Sequence, residues 1–498
     1  MFLEDLGEPN EFWVYFNEIS KIPRCSGNED LVREYIIKEA QKLDYETKVD
    51  KTGNLVVKIP PKNKKEKVKV ILQSHMDMVC EKNEDVTHDF LKDPLKLKII
   101  EINKEKWLTA DGTTLGADDG VGIALSLAIM KRIYNGELSF DGLSLELLFT
   151  VDEEVGLVGA FNIDKNLTNG NYLINLDGEE DDKFIIGCAG GIRTNGKINF
   201  KYKSVDKYLE DPKPVNIFVS GLIGGHSGVD IHRGRGNAIK IISKILWKVN
   251  KNYNIQLHSI NGGNRENAIP REAKATIFCN NSDIEDVLNF INQIIEEIKL
   301  GIIKIEPNME LKAEIIQNYD NKLVLPELVK DKLLHILYIF PNGPISMHPN
   351  ISGLVYTSTN LGAISTKNNQ ISIVTSQRSM HEISKRIIYE KIEALLELAD
   401  INIEISHFSN YPGWDPDFNA KLLRIVQDTY KTLFNKNVIT QAIHAGLECG
   451  ILKEHFPHID MISIGPTVEG GHSPKERLKV ASVEKIWIFL IQLLKDLI

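Results

Sequence analysis

The stretch VKVILQSHMDMV, residues 68–79, joins an apolar run to a histidine and an aspartate that lie two positions apart. Residues 68–72 predict a buried β-strand. Side chains two positions apart on an extended chain point the same way, so we expect His75 and Asp77 to emerge together at the end of this strand. A carboxylate beside a histidine often orients the imidazole of a metal ligand. The pair therefore suggests a metal site at a strand end.

The residues on either side of this stretch alternate between helical and strand patterns. Apolar side chains recur at helical spacing in residues 30–43 and 120–133, whereas residues 54–59, 143–151 and 172–176 are apolar runs of strand length. Helices that alternate with strands are typical of a sheet covered by helices. We therefore expect an α/β fold built around a layered sheet.

The length and punctuation of the chain predict two domains. A chain of 498 residues is longer than one core normally supports. The glycine-rich run 187–191 is a candidate hinge, and the run YPGWDP, residues 411–416, marks a second boundary. We expect residues 1–187 and 411–498 to form one domain, with an α+β domain, residues 188–410, inserted into it.

The composition excludes several classes of protein. The formal net charge of -10 argues against a general nucleic-acid binder, which usually carries a basic stripe. The apolar runs are too short to cross a membrane, and residues 1–5 lack the basic start of a signal peptide. The five cysteines are scattered and form no CxxC pair. We therefore expect no disulfide framework and a reducing, cytoplasmic location.

Four further motifs of acidic residues or histidine follow a predicted strand or lie in a glycine-bounded loop. They contain Asp118 in GADDG, Glu153 and Glu154 in VDEEVG, Asp177 in LDG and His472 in GGHSP. Each motif alone has a simpler interpretation, because acidic runs are usually solvated and aspartates often cap helices. Strand ends and the loops after them form the binding crevice of a layered α/β sheet, so these motifs can converge.

Two histidines and three carboxylates suit a pair of zinc-type ions. We predict that Asp118 bridges the ions, with His75 and Asp177 on one ion and Glu154 and His472 on the other. Two neighbouring ions can polarise a carbonyl and lower the pKa of a shared water.

Glu153 is the predicted general base and acid of such a site. It is adjacent in sequence to the proposed ligand Glu154. A carboxylate in this position could carry a proton from the water to the leaving amine. A solvated acidic surface is the alternative for this pair.

Seven motifs resemble those of a known family and span nearly the whole chain. They are HMDMV (75–79), TLGADDG (114–120), TVDEEVGLVGA (150–160), INLDGEE (174–180), GGHSGVDIHRGRGNA (224–238), NAIPREA (267–273) and GPTVEGGHSPKER (465–477). They resemble the aminoacyl-histidine dipeptidases, or peptidase D, also called cytosolic non-specific dipeptidases, of the co-catalytic zinc metallopeptidase group. The resemblance implies a zinc-peptidase-like α/β catalytic domain with an inserted α+β lid and dimerisation domain.

The resemblance implies the same roles for the residues of the catalytic domain. Asp77 corresponds to the carboxylate that orients the first ligand, and Glu153 to the catalytic base. Asp119 lies where the family usually carries asparagine, so this extra carboxylate would either raise metal affinity or face solvent. The implied metal ligands are His75, Asp118, Glu154, Asp177 and His472.

In the inserted domain the resemblance implies three further site residues. His226 in GGHSG would polarise the scissile carbonyl, in its own or a partner subunit's site. Asn267 in NAIP and Arg378 in QRS would bind substrate, and Arg378 has the two-pronged donor that suits a dipeptide's carboxylate. A structural histidine in a glycine turn and an arginine in a surface salt bridge are the alternatives.

The implied activity is the hydrolysis of dipeptides by a cytoplasmic homodimer, with aminoacyl-histidine dipeptides as candidate preferred substrates. The implied cofactor is two Zn²⁺ per subunit, with Mn²⁺ or Co²⁺ as alternatives. No nucleic-acid or membrane partner is expected. An N-acyl amino acid deacylase, or a tripeptidase or aminopeptidase of the same group, is the second hypothesis. A non-catalytic metal- or peptide-binding protein is the third.

Overall fold

The computed structural model describes residues 6–62, 65–317 and 319–498, so the signal-peptide prediction for residues 1–5 lies outside the described residues. The chain divides into two compact units. The first contains the residues up to Cys188, together with Trp414–Ala442 and Leu447–Ile498, and the second contains Ala189–Gly413 and Ile443–Gly446. The short segment Ile443–Gly446 has no signal in the sequence pattern.

The N-terminal part of the first unit alternates between helices and strands, which confirms the predicted α/β class. Its helices are α1 (Asn10–Ile19), α2 (Asp30–Gln41), α3 (Ala117–Tyr134) and α4 (Val158–Phe161). Its strands are β1 (Glu46–Val49), β2 (Leu55–Ile59), β3 (Val68–His75), β4 (Leu97–Ile102), β5 (Glu105–Ala110), β6 (Leu143–Thr150), β7 (Tyr172–Asn175) and β8 (Lys183–Cys188).

The second unit is an antiparallel α+β structure. Its strands are β9 (Gly190–Asn199), β10 (Lys203–Ser204), β11 (Pro212–Ser220), β12 (Gly225–His226), β13 (Gln256–Gly262), β14 (Ala268–Ile269), β15 (Ala273–Asn280), β16 (Glu310–Ile315), β17 (Leu323–Val324), β18 (Gly343–Met347), β19 (Val355–Lys367), β20 (Gln370–Ser379) and β21 (Ile403–Tyr411). Its helices are α5 (Ala238–Asn252), α6 (Ile284–Ile302), α7 (Glu327–Ile339) and α8 (Glu382–Glu397). The main sheet has the strand order β16-β11-β15-β13-β19-β20-β9-β21, with β18 paired to β19.

The C-terminal part of the chain completes the first unit. Its elements are α9 (Lys421–Phe434), β22 (Ile439–Ile443), α10 (Glu448–His455), β23 (Asp460–Ser463), β24 (Val468–Glu469), β25 (Arg477–Lys479) and α11 (Val480–Asp496). The central sheet has the order β1-β2-β6-β3-β7-β23-β8-β22, and a smaller sheet has the order β24-β25-β5-β4. Among the described residues, no helix is both long and apolar enough to span a bilayer.

Each unit has its own apolar core. In the first unit, Leu72 of β3 and Leu147 of β6 are fully buried and belong to the same core as Ile129 of α3. In the second unit, Ile242 of α5 packs in one core with Ile277 of β15. Strand β6 is buried along its whole length, which fits its mainly apolar sequence, since a strand covered on both faces has no solvent-facing side.

Parallel pairing in the central sheet places three strand ends side by side. Strand β3 runs parallel to both β6 and β7, and β7 runs parallel to β23. In the β3–β6 register His75 lies opposite Thr150, and in the β3–β7 register Gln73 lies opposite Asn175. The loops that follow these strands therefore begin at one edge of the sheet.

One disulfide contradicts the prediction from the cysteine pattern. Cys25 and Cys80 are bonded, with their Cα atoms 5.7 Å apart and a separation of 55 positions in sequence. A backbone bridge between Cys25 and Met78 holds the two loops together. The expectation was wrong for this pair because short spacings do not report cysteines that the fold brings together. The free cysteines are buried: Cys188, Cys279 and Cys449.

The disulfide predicts a reductant-dependent stability. Reduction should lower the free energy of unfolding by about 2–4 kcal/mol, because the bond restricts the unfolded chain. Urea denaturation with and without dithiothreitol measures the difference. A Cys25→Ser/Cys80→Ser variant is the control and should not respond to dithiothreitol. If protein purified without reductant shows five reactive thiols in denaturant rather than three, the bond does not form.

Candidate metal centre

Every predicted site residue of the first unit lies at the edge where β3, β6 and β7 end. One group of potential ligand atoms comes from His75, Asp118 and Asp177, and a second comes from Asp118, Glu154 and His472. Within each group these atoms lie within 4.8 Å of one another. Asp118 belongs to both groups, so its carboxylate is shared between two sets of ligand atoms.

The two oxygens of Asp118 face different histidines. Its Oδ1 lies 2.8 Å from His75 Nε2, and its Oδ2 lies 3.1 Å from His472 Nε2. The same His75 nitrogen lies 3.7 Å from Asp177 Oδ1, and the same His472 nitrogen lies 3.0 Å from Glu154 Oε2. This arrangement is one nitrogen and one carboxylate on either side of a common carboxylate, which is the grouping predicted from the sequence.

Asp77 fixes both His75 and the loop after β6. His75 Nδ1 lies 3.1 Å from the Asp77 carbonyl oxygen and 3.3 Å from its Oδ1, which leaves Nε2 facing the other ligands. The Asp77 carboxylate accepts the backbone N–H groups of Glu153 and Glu154 at 3.0 and 3.2 Å and the Ser26 hydroxyl at 2.8 Å. Burial alone would raise the Asp77 pKa, but these hydrogen bonds and His75 lower it to about 2.

Asp118 and Asp119 lie in the irregular turn that opens α3, and a cis peptide bond joins them. Asp119 accepts the backbone N–H of Gly122 at 2.9 Å and that of His75 at 3.3 Å. Burial raises the pKa of Asp119 to about 8. Asp119 is only 1% exposed. The expectation that its carboxylate faces solvent is therefore wrong.

The electrostatics of these residues favour the binding of cations. Burial raises the pKa of Asp177 well above its usual range, and the charge of Asp118 raises it further. Hydrogen bonds to Asp118 and Glu154 raise the pKa of His472 to about 11. The Glu154 Oε1 atom is buried without a hydrogen-bond partner among the described residues. Asp118 and Glu154 thus stabilise a positive charge on His472, and one Glu154 oxygen has no partner among the described residues. Both features fit a site for divalent ions.

Glu153 lies beside the proposed metal ligands. It belongs to neither of the two ligand groups that contain Asp118. One of its oxygens is within 4.8 Å of atoms of His75 and Glu154. Burial raises the Glu153 pKa well above its usual range, and the charge of Glu448 adds to this despite the opposing effect of His75. A carboxyl group with a raised pKa next to a polar centre is suited to exchanging a proton.

The sequence pattern did not indicate three ionisable residues that surround the centre. Glu448 is buried, and its Oε2 accepts hydrogen bonds from Gln73 Nε2 at 2.6 Å and Thr150 Oγ1 at 2.8 Å. Arg24 and Glu476 are each 2% exposed and bind backbone atoms of the ligand loops. Glu476 follows His472 by four residues within a motif noted above, whereas Arg24 and Glu448 have no local signal.

The other predicted site residues lie in the second unit. Arg378 on β20 donates from Nη1 to Tyr411 Oη at 2.7 Å, and its Nη2 lies 3.5 Å from His226 Nε2. Arg378 is 4% exposed and has no hydrogen-bond partner for its Nε among the described residues, so it is not a surface salt bridge. The Asn267 side chain is exposed, and the backbone carbonyl of Asn267 accepts the Ser227 N–H at 2.8 Å.

His226 is a neutral donor in this geometry. Its Nδ1 accepts the backbone N–H groups of Gly228 and Val229 at 3.3 and 3.1 Å, so the ring proton lies on Nε2. Burial lowers the His226 pKa to about 4, helped by the charge of Arg378. The imidazole therefore presents an N–H rather than a positive charge at neutral pH.

His444 is a further buried histidine of the second unit that the sequence analysis missed. Its Nε2 lies 2.7 Å from Ser358 Oγ, and its Nδ1 has no hydrogen-bond partner among the described residues. Burial lowers its pKa to about 3, and the charge of Arg378 contributes. Ser358 lies opposite Arg378 in the β19–β20 register, so these residues form one polar cluster.

Comparisons with known proteins cover both units. The model of peptidase family M20/M25/M40 matches residues 71–496. The cytosol non-specific dipeptidase of Escherichia coli (strain K12) is 36% identical over 492 residues, which is 98% of each chain. The crystal structure of aminoacylhistidine dipeptidase from Vibrio alginolyticus has a TM-score of 0.87 at 34% identity, covering 98% of this chain and 96% of that one. An aminopeptidase from Bacillus cereus shares the fold, with a TM-score of 0.57 at 14% identity over 99% of each chain.

The ligand geometry predicts that the chain binds two divalent ions. Chelator-treated protein that is dialysed against Zn²⁺ should contain two ions per chain by elemental analysis. His472→Ala should weaken the binding of at least one ion by about ten-fold or more, because a nitrogen ligand is lost. The exposed His458 provides a control, since His458→Ala should bind like the wild type. Equal affinity in the His472→Ala and His458→Ala variants would exclude His472 as a ligand.

Proposed function

Because the chain belongs to peptidase family M20/M25/M40, we propose that it is a metal-dependent dipeptidase. The observation that carries this proposal is the sharing of Asp118 between two sets of ligand atoms at one sheet edge. The two relatives with more than 30% identity are named as dipeptidases, which supports dipeptides as the substrate class. Aminoacyl-histidine dipeptides are the first candidates, because the Vibrio protein carries that name.

The proposed cofactor is two Zn²⁺ per chain. His75 and Asp177 would hold one ion, Glu154 and His472 would hold the other, and Asp118 would bridge them. Nitrogen and carboxylate ligands suit Zn²⁺, and also Mn²⁺ or Co²⁺. When bound, such a pair supplies Lewis acidity that polarises a carbonyl and lowers the pKa of water.

Glu153 would carry the proton in this reaction. Its carboxylate accepts a proton from the water as the water oxygen attacks the carbonyl carbon, and the protonated carboxyl then gives that proton to the amide nitrogen as the C–N bond breaks. The raised pKa of Glu153, caused by burial, suits it to holding the proton between these transfers. Asp77 takes no part in the transfer and keeps His75 oriented through Nδ1.

The polar cluster of the second unit would recognise the substrate. His226 presents Nε2–H, which can donate to a carbonyl oxygen as negative charge develops there. The guanidinium of Arg378 is buried, and its Nε has no hydrogen-bond partner among the described residues. Such a group is suited to binding the terminal carboxylate of a substrate. Asn267 would bind substrate through its exposed side chain.

We also place the protein in the cytoplasm as a homodimer, with the second unit as its lid and dimerisation domain. The name of the Escherichia coli relative supports the location, and the resemblance of the lid motifs supports the dimer. Whether His226 serves its own or a partner's site follows from the dimer arrangement. A disulfide would be exceptional in a reducing compartment, so the thiol count of the purified protein also tests the location.

The substrate class predicts a specific pattern of cleavage. Dipeptides, with Xaa-His members among them, should be hydrolysed, and removal of metal by a chelator should abolish turnover until Zn²⁺ is restored. Tripeptides and N-acyl amino acids are the comparison set, with product amino acids measured by chromatography. Cleavage confined to that comparison set would replace the dipeptidase proposal with an aminopeptidase or deacylase.

The role of Glu153 predicts a separation of turnover from metal binding. Glu153→Gln should lower kcat by about 10²–10⁴-fold, because the amide cannot accept the proton, while the two ions stay bound. Glu101→Gln, at an exposed position of β4, is the matched control and should keep full activity. Loss of metal in the Glu153→Gln variant would overturn this division of roles. Unchanged turnover would exclude Glu153 as the general base, whereas metal binding without turnover in the wild type as well as the variant would favour a binding protein.

A further inference from the structure

Glu476 holds four consecutive peptide N–H groups of the loop that carries Asp118. Its Oε2 accepts the N–H of Leu115 at 2.8 Å and that of Gly116 at 3.0 Å. Its Oε1 accepts the N–H of Ala117 at 2.7 Å and that of Asp118 at 3.3 Å. A carboxylate in such a concave row of N–H groups fixes the backbone, because each oxygen is satisfied in one geometry only.

These N–H groups precede the regular part of α3, where they would otherwise be unsatisfied. The N-cap residue, Gly116, has a φ of 66° and no side chain with which to cap the helix. Glu476 therefore acts as the cap from another part of the chain, and it does so at the turn that determines where the Asp118 carboxylate points.

Arg24 binds the same loop from the other side. Its Nη2 donates to the Gly116 carbonyl, and its Nη1 donates to the carbonyls of Met76 and Asp77 at 3.0 and 2.8 Å. A Cβ at Gly116 would lie 2.6 Å from Arg24 Nη2, so only glycine allows this approach. Arg24 thus ties the residues that directly follow His75 at the end of β3 to the loop of Asp118.

Glu476 also connects the loop that carries His472. It lies four residues after His472, and its own N–H donates to the Ser473 carbonyl at 3.0 Å. Thr109 Oγ1 donates a hydrogen bond to the Glu476 backbone carbonyl at 2.6 Å, which fixes this segment against β5. Two buried charged side chains, Arg24 and Glu476, therefore join the end of β3 at His75 to the loops that carry Asp118 and His472.

We infer that Arg24 and Glu476 are positioning residues that set the distance between the bridging carboxylate of Asp118 and the two histidines. This inference rests on the proposed metal centre. Neither side chain supplies a ligand atom. Each acts through backbone groups, so their effect should appear as metal affinity rather than as a lost ligand.

Glu476→Gln tests the inference with a side chain of nearly the same shape. The amide keeps one acceptor oxygen and turns an NH₂ group towards two of the four N–H donors, which displaces the loop. We expect affinity for Zn²⁺ to fall by about 10–100-fold in calorimetric titration, with the far-UV circular dichroism of the metal-free protein unchanged. Glu469→Gln, at the exposed position of β24 in the same segment, is the control.

Arg24→Lys is a second variant, because it keeps the charge but cannot reach carbonyls of two loops with one ammonium group. It should also weaken Zn²⁺ binding, and the rise in Tm that Zn²⁺ causes should be smaller in both variants than in the wild type. A purely structural role would lower Tm equally with and without Zn²⁺ and leave the affinity unchanged, which would overturn the inference. Failure of the wild-type chain to bind Zn²⁺ would instead refute the metal centre itself.

Discussion

The crowding of carboxylates around Asp118 is the constraint on which the rest of the first unit depends. Potential ligand oxygens of Asp118 and Asp177 lie within 4.8 Å of each other and of His75 Nε2. Two unit charges about 4 Å apart interact by roughly 4 kcal/mol at the effective dielectric constant near a protein surface. One such repulsion is a large part of the about 5–15 kcal/mol by which domains are stable. The repulsion is relieved by a proton on Asp177, whose pKa is raised, or by positive charge from protonated histidines, Arg24 and bound cations.

The same chemistry also holds the loops in place. Asp77 accepts N–H groups of the loop after β6, Asp119 accepts the N–H of His75, and Glu476 accepts those of the α3 turn. Buried carboxylates satisfy these peptide groups where no regular secondary structure can. Acidic residues therefore serve in two ways around one centre, some as candidate ligands and some as anchors for the backbone from which the ligands project.

The sequence alone predicted those elements whose residue spacing is characteristic of a strand or a helix. The apolar runs of β3, β6 and β7 predicted strands, and the residues just after them predicted the clustered side chains. The alternation of elements predicted the α/β class because amphipathic or buried segments have a characteristic spacing. The roles of individual site residues stay predictions, although the structure brings those of the first unit together.

Long-range pairings between a side chain and the backbone could not be predicted. Arg24 and Glu476 bind peptide groups, which every residue has, so no pattern in the sequence identifies their partners. The disulfide between Cys25 and Cys80 was missed for the same reason, since it depends on how two loops meet. His444 belongs to the second unit because of the four-residue segment Ile443–Gly446, which begins at the last residue of β22, and so short a segment leaves no shift in composition.

The order of the ligands along the chain has a consequence for biosynthesis. Asp118 and His472 are 354 residues apart, and the whole second unit lies between them. At about 5–20 residues per second, a ribosome needs roughly 20–70 s to travel from one codon to the other. Throughout that interval the nascent chain lacks part of the centre. Translation thus postpones any hydrolytic capacity until the polypeptide has been made almost to its last helix.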